Sequence, residues 1–251
     1  MPVFENMSII EISLLLISSF AGSFISAAMG LGGGVLLLGV ITQFLPALAV
    51  IPVHGVVQLG SNVGRAGLLR RYIDTKTCLY FMLGSLLGAF IGGQIVFVLN
   101  ADYLRLIIAL FILSSIWKFK IPVKKSAMPL IVAGGWLSTV LTMFVGATGP
   151  FVAAMLQAKS YVREQRVATM AACMVIQHFL KVLVFGVLGF QFSAYIPLIT
   201  GMVLVGFAGT YIGKKLLIRT SEKQFKFGLN LVLILLSIRL LWLSVKNLWG
   251  L

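Results

Sequence analysis

The chain has 251 residues, of which 60% are hydrophobic and only 10% charged, with a formal net charge of +14. Soluble domains carry about 25% charged residues, so almost no polar surface would remain to cover a soluble core of this composition. The balance excludes a soluble fold and implies an all-α polytopic membrane protein, with room for about eight spans of roughly 20 residues. A basic excess of this size in a soluble protein would suggest nucleic acid. Here no continuous basic face with interleaved aromatics is present, so no nucleic-acid partner is expected.

In chain order, apolar runs fall at 9–29, 34–45, 50–68, 78–98 and 103–117, then at 128–146, 150–158, 167–189, 194–213 and 227–247. The first run has the length of a signal peptide, but Glu5 and Glu11 replace the basic n-region and no Lys or Arg precedes Arg65. It is expected to be a retained first span. The runs at 34–45 and 150–158 reach only about 18 and 13 Å at 1.5 Å per residue. Each follows a glycine break, Gly30-Leu31-Gly32-Gly33-Gly34 and Gly146-Ala147-Thr148-Gly149-Pro150. This is the pattern of a helix that unwinds near mid-membrane and resumes as a half-helix.

Loop charge orients these segments. Arg65, Arg70, Arg71 and Lys76 form one cluster, and Lys118, Lys120, Lys124 and Lys125 a second. Lys159, Arg163 and Arg166 form a third, and Lys214, Lys215, Arg219, Lys223 and Lys226 a fourth. The positive-inside rule puts all four in the cytoplasm. That requires 128–158 to begin and end on the same side, and it leaves the N- and C-termini and the 186–193 loop outside. Residues 1–125 and 126–251 then form two inverted repeats of one membrane domain in the inner membrane. Continuous spans through 9–45 and 128–158 are the simpler alternative, and they would place one basic cluster outside.

Sparse polar residues break the apolar pattern. His54, Gln58 and Asn62 stand four apart, on one helix face, with Ser61 adjacent. Thr169, Cys173, Gln177 and Lys181 make a matching stripe, with His178 one position over. Gln58 and Gln177 are 119 apart, as are Asn62 and Lys181. Ionisable side chains at bilayer depth are costly and usually mark a substrate path. Glu5, Glu11, Asp74, Asp102, Glu164 and Glu222 all fall at or near segment ends. A cation among amide donors with no acid nearby suits an oxyanion. Backbone N–H groups at the half-helix N-termini, around Gly32, Gly33, Gly34, Thr148 and Gly149, suit it too.

Each residue also has a plainer use. Lys181 could snorkel to an interface, and His54 could be a wet interfacial residue. Gln58, Asn62, Gln177 and His178 could hydrogen-bond across helices. Arg65 reads as a cytoplasmic-end anchor ahead of its other use, as a ligand. Gly84, Gly88 and Gly92, and Gly209 and Gly213, suit close helix packing within the chain, with a homodimer contact as the other use. Cys78 and Cys173 have neither metal-site nor disulfide spacing and read as packing residues. No motif calls for a cofactor or metal, and no catalytic set points to an enzyme.

The segment Ala28 to Gly34, Pro46, and the run Pro52-Val53-His54 to Ser61-Asn62 resemble the first half of the sulfite exporter TauE/SafE family. The break and the later polar span recur in the second half, although that break reads Gly-Ala-Thr-Gly-Pro where the first is glycine-rich. The resemblance implies a small secondary transporter of sulfite or organosulfonates. The residues themselves indicate only a small anion as partner besides membrane lipid. On this reading Lys181 supplies the counter-charge, Gln58, Asn62, Gln177 and the break amides hold the oxyanion, and His54 or His178 could couple transport to protons. An anion channel and a non-transporting membrane subunit are the alternatives.

Overall fold

A computed structural model describes residues 7–30, 32–96, 101–116, 128–157, 159–216 and 222–249. Among them are ten α-helices and no strand. The first five are α1 (Ile9–Met29), α2 (Gly33–Phe44), α3 (Ala47–Leu68), α4 (Thr75–Val96) and α5 (Ala101–Ile116). The second five are α6 (Met128–Val145), α7 (Gly149–Leu156), α8 (Arg163–Val187), α9 (Ile196–Leu216) and α10 (Glu222–Trp249). The order of long and short helices follows the apolar runs closely. Seven of the ten are long and apolar enough to cross a membrane, and α5 has 16 residues. The two short helices are α2, with 12 residues, and α7, with 8.

Local chemistry sets the ends that matter. Ser8 and Glu11 form a reciprocal capping box at the start of α1, so Glu11 stabilises the first turn of a span. The other end of α1 closes on Gly30, whose left-handed φ of 87° sends its N–H back to Ser26 O at 3.0 Å. Gly146 repeats this device after α6, with φ of 75° and an N–H bond to Thr142 O at 3.1 Å.

Packing follows a regular scheme. Helix α4 packs on α6 and α1 on α9; α3 packs on α8 and α5 on α10. Helix α3 also meets α9 while α8 meets α4, and α1 meets α2 while α6 meets α7. Exchanging the first five helices for the last five maps this set onto itself: the α3–α8 and α5–α10 packings are unchanged and the other six interchange in pairs. The glycine stripes explain the closest seams. A Cβ on Gly84 would fall 1.8 Å from Val132 O, and one on Gly88 would fall 2.4 Å from Trp136 O. Cβ atoms on Gly209 and Gly213 would fall 2.3 Å from Phe20 O and 2.5 Å from Phe24 O. Gly92 likewise faces Met143 and Val140 of α6. All five glycines of the stripes are therefore turned to helices of the same chain. Large side chains such as Phe90 and Trp242 point outward, as lipid-facing positions do. Cys78 and Cys173 are buried in one apolar cluster with Phe81, Val152 and Met155.

One end of the bundle gathers basic residues. Arg163 Nη2 donates to Ala28 O at 2.9 Å, and Lys214 Nζ to Leu68 O at 2.9 Å. Lys159 Nζ pairs with Asp74 at 3.5 Å. Asp74 also accepts from the hydroxyl of Tyr161 and from both the hydroxyl and the N–H of Thr77, at 2.8 and 3.0 Å. This cluster ties the start of α4 to the connection between α7 and α8. The 118–125 cluster, Arg219 and the first and last few residues lie outside the described residues.

Candidate functional site

Two broken helices frame the site. Helix α2 starts after Gly32, whose φ of 99° no larger residue adopts comfortably. Its next residue, Gly33, is pressed against α1, since a Cβ there would fall 1.7 Å from Gly22 O. Helix α7 starts after Thr148, with Pro150 in its first turn. First-turn N–H groups have no acceptor within their own helix, and a helix N-terminus carries partial positive charge.

Both N-termini open onto one cavity. Gly30, Gly32 and Gly34 line it from the first break, and Ala147, Gly149 and Pro150 from the second. His54, Gln58, Asn62 and Arg65 line it from α3, and Met170, Met174 and His178 from α8. Its volume, about 30 Å³, is room for roughly two waters. No carboxylate stands in its wall among the described residues, and those residues contain no cluster able to hold a metal ion.

The α3 wall is a hydrogen-bonded ladder. His54 Nε2 donates to Gly34 O at 2.9 Å, which joins α3 to the first turn of α2. Asn62 Nδ2 donates to Gln58 O at 2.7 Å, and Asn62 Oδ1 accepts from Arg65 Nη2. Four polar atoms here are buried without a hydrogen-bond partner among the described residues: His54 Nδ1, Ser61 Oγ, and Nε and Nη1 of Arg65.

The polar stripe of α8, mostly behind the wall, is more fully satisfied. Gln177 donates to Ser138 Oγ and Thr139 Oγ1 at 3.0 and 3.2 Å, and its carbonyl accepts from Thr148 Oγ1 at 2.7 Å. Lys181 Nζ donates to Gly146 O at 2.7 Å and lies 3.4 Å from His178 Nδ1. The rings of His54 and His178 meet edge to face, with centroids 6.0 Å apart. The two polar stripes therefore face each other between the breaks.

A model of the sulfite exporter TauE/SafE family matches residues 14–240. The chain belongs to the sulfite exporter TauE/SafE family. Comparison with curated proteins and with solved structures finds no match. Family membership and the long apolar helices make this a multi-pass membrane transporter for a small anion.

Within this TauE/SafE protein, the residues singled out from the sequence divide into two sets. Gly32, Gly34, His54, Gln58, Asn62, Gly149 and His178 are in the cavity wall. Gly33, Ser61, Thr148, Gln177 and Lys181 are buried nearby but are not among the wall residues. Thr169, on the same stripe as Gln177, instead accepts from Asp74 N at the basic end of the bundle, at 3.0 Å. Sequence reasoning missed Ser26, Met170 and Met174, which look like ordinary packing residues. It also treated Arg65 as an anchor, although position 65 continues the 54, 58, 62 face by one more helical step.

Proposed function

We propose that this TauE/SafE protein carries a small sulfur oxyanion, sulfite or an organosulfonate, across the inner membrane by alternating access. The observation that carries this reading is the convergence of two half-helix N-termini on one cavity with no carboxylate in its wall among the described residues. Positive helix ends and amide donors favour an anion, and the cavity's volume of about 30 Å³ favours a compact ion of few heavy atoms. A C2 sulfonate would need the helices to part further.

The roles follow from position. Gln58, Asn62 and the amides of Gly32 to Gly34 and of Gly149 hold the anion's oxygens. Lys181, Gln177 and Thr148 brace the second break behind the wall, and Lys181 adds positive charge there. His54 and His178, whose rings meet edge to face at the cavity wall, are the groups that would couple anion movement to protons. Two halves, 1–125 and 126–251, rock about the cavity, and the interchange of helix packings between them supports that division. The basic end of the bundle faces the cytoplasm by the positive-inside rule, which leaves both termini outside.

The test is a ligand-stabilisation screen of the purified protein against sulfite, sulfate, acetate and C2 sulfonates, followed by counterflow in proteoliposomes. Selective stabilisation by sulfite with saturable counterflow is expected. Steady conductance without counterflow would identify a channel, and no stabilisation by any oxyanion would end the substrate reading.

A further inference from the structure

We propose that Arg65 is the residue that grips the transported anion and selects for an oxyanion with several oxygens. This rests on the reading of the cavity as an anion site. Arg65 stands on the last turn of α3, where a basic residue would ordinarily turn to water. Its side chain is instead 4% exposed and forms part of the cavity wall. Neither ion pair among the described residues involves it. A buried guanidinium with no counter-ion is costly, so the protein holds an uncompensated positive charge beside the cavity.

The fork is also held in place. Asn62 Oδ1 takes one donor, from Nη2, and Asn62 is itself fixed by Gln58 O at 2.7 Å. Nε and Nη1 are left with no partner among the described residues. Asn62, itself in the cavity wall, therefore also positions Arg65. The first-turn amides of α2 and the N–H of Gly149 border the same space from the two breaks. A pyramidal or tetrahedral oxyanion can place separate oxygens on the guanidinium and on these amides at once. A halide offers no such set of acceptors, and a lysine offers a point charge where a planar fork is needed.

The pseudo-equivalent position in the second half carries no cation. The residue 119 positions after Arg65 is Val184, which packs toward Gly93 of α4. Gln177, the counterpart of Gln58, is fully occupied by the hydroxyls of Ser138, Thr139 and Thr148. The anion is therefore gripped from the α3 side.

The experiment uses purified full-length protein, with sulfite affinity measured by calorimetry and the melting midpoint recorded with and without sulfite. Arg65→Gln should abolish the sulfite-induced shift and weaken affinity at least a hundredfold. It should leave the ligand-free midpoint unchanged or raised, because an unpaired buried charge is removed. Arg65→Lys should bind at least tenfold more weakly than wild type while retaining some affinity, and it decides the matter if Arg65→Gln does not purify. Affinity within twofold of wild type in the variants overturns the proposal. So does a sharp fall of the ligand-free midpoint in both, which would make Arg65 a structural anchor. A wild-type protein that binds none of sulfite, sulfate or a C2 sulfonate sinks the anion-site reading itself, and this proposal with it.

Discussion

Lys181 Nζ donates to the carbonyl of Gly146 across 2.7 Å, so a fully buried side-chain nitrogen sits on the residue that closes α6. The carbonyl end of a helix carries partial negative charge, and this donor offsets it at the break. The lysine stem also lies against Gly55 of α3, where a Cβ would fall 3.0 Å from Lys181 Cδ. Lys181→Ala should therefore lower sulfite affinity at least tenfold, or about 1.4 kcal/mol. Calorimetry on the purified variant checks this, and unchanged affinity would remove Lys181 from the binding machinery.

The glycines of the first break should separate by what surrounds each. A Cβ on Gly33 would strike the backbone of Gly22 at 1.7 Å, and backbone cannot step aside cheaply. Overpacking of this kind costs about 1–3 kcal/mol or more, so Gly33→Ala should lower the melting midpoint sharply. A Cβ on Gly34 would meet the side-chain amide of Gln58, with Oε1 nearest at 3.4 Å, an ordinary van der Waals contact. Gly34→Ala should fold with a near-normal midpoint and lose counterflow, because it narrows the cavity. Equal melting behaviour of the two variants would contradict the packing seen at Gly22.

Asp74 lies outside the spans, at the basic end, and its side chain is 19% exposed. Burial opposes its charge, but the Tyr161 hydroxyl, the two Thr77 donors and the Lys159 ammonium outweigh that and hold the carboxyl well below the usual carboxylate range. Burial, reinforced by Asp74, pushes the Tyr161 phenol well above its ordinary value, so it remains a donor. A depressed folded value stabilises the protein above the unfolded value, about 3.9 for Asp. That stabilisation is lost as pH falls toward the folded value. Asp74→Asn should cost roughly 2 kcal/mol at pH 7. The gap to wild type should be constant down to about pH 4 and narrow in stronger acid. Melting curves across pH measure it, and a gap that widens in acid would refute the assignment.

The proposed inversion of the halves is tested by labelling. A cysteine placed at Tyr72, in the 3-10 turn between α3 and α4, should resist a membrane-impermeant maleimide added to intact cells. One placed at Gln191, between α8 and α9, should react. Reaction of both from the same side would mean that the halves are not inverted.

The architecture was legible because membrane helices are written in plain hydropathy and because positive φ at a helix end leaves a glycine signature. Every long run became a helix within a few residues, and both glycine breaks became helix interruptions. The depth of Lys181 could be read from its distance to the span ends. Its partner could not, because the direction of the Gly146 carbonyl is set by how α6 closes. Arg65 was hidden for a similar reason. Three residues from the end of α3, it has the spacing of an anchor, and only the approach of α2, α7 and α8 turns that position into a cavity wall. Met170 and Met174 carry no signal that separates a lining residue from a packed one. The glycine stripes left packing and dimerisation open, and neighbouring helices of the same chain now lie against them.

The bonds from Arg163 to Ala28, Lys214 to Leu68 and Lys159 to Asp74 draw the basic connections together at the end of the bundle where Arg65 lies. Such a concentration of like charge raises the local density of small anions before any of them reaches the cavity. The effect reaches about 10 Å at 0.1 M salt and shrinks as ions are added. Loading from this face should therefore slow as ionic strength rises, while loading from the opposite face keeps its rate. The protein would then behave as a rectifier in dilute media, favouring one direction through encounter alone.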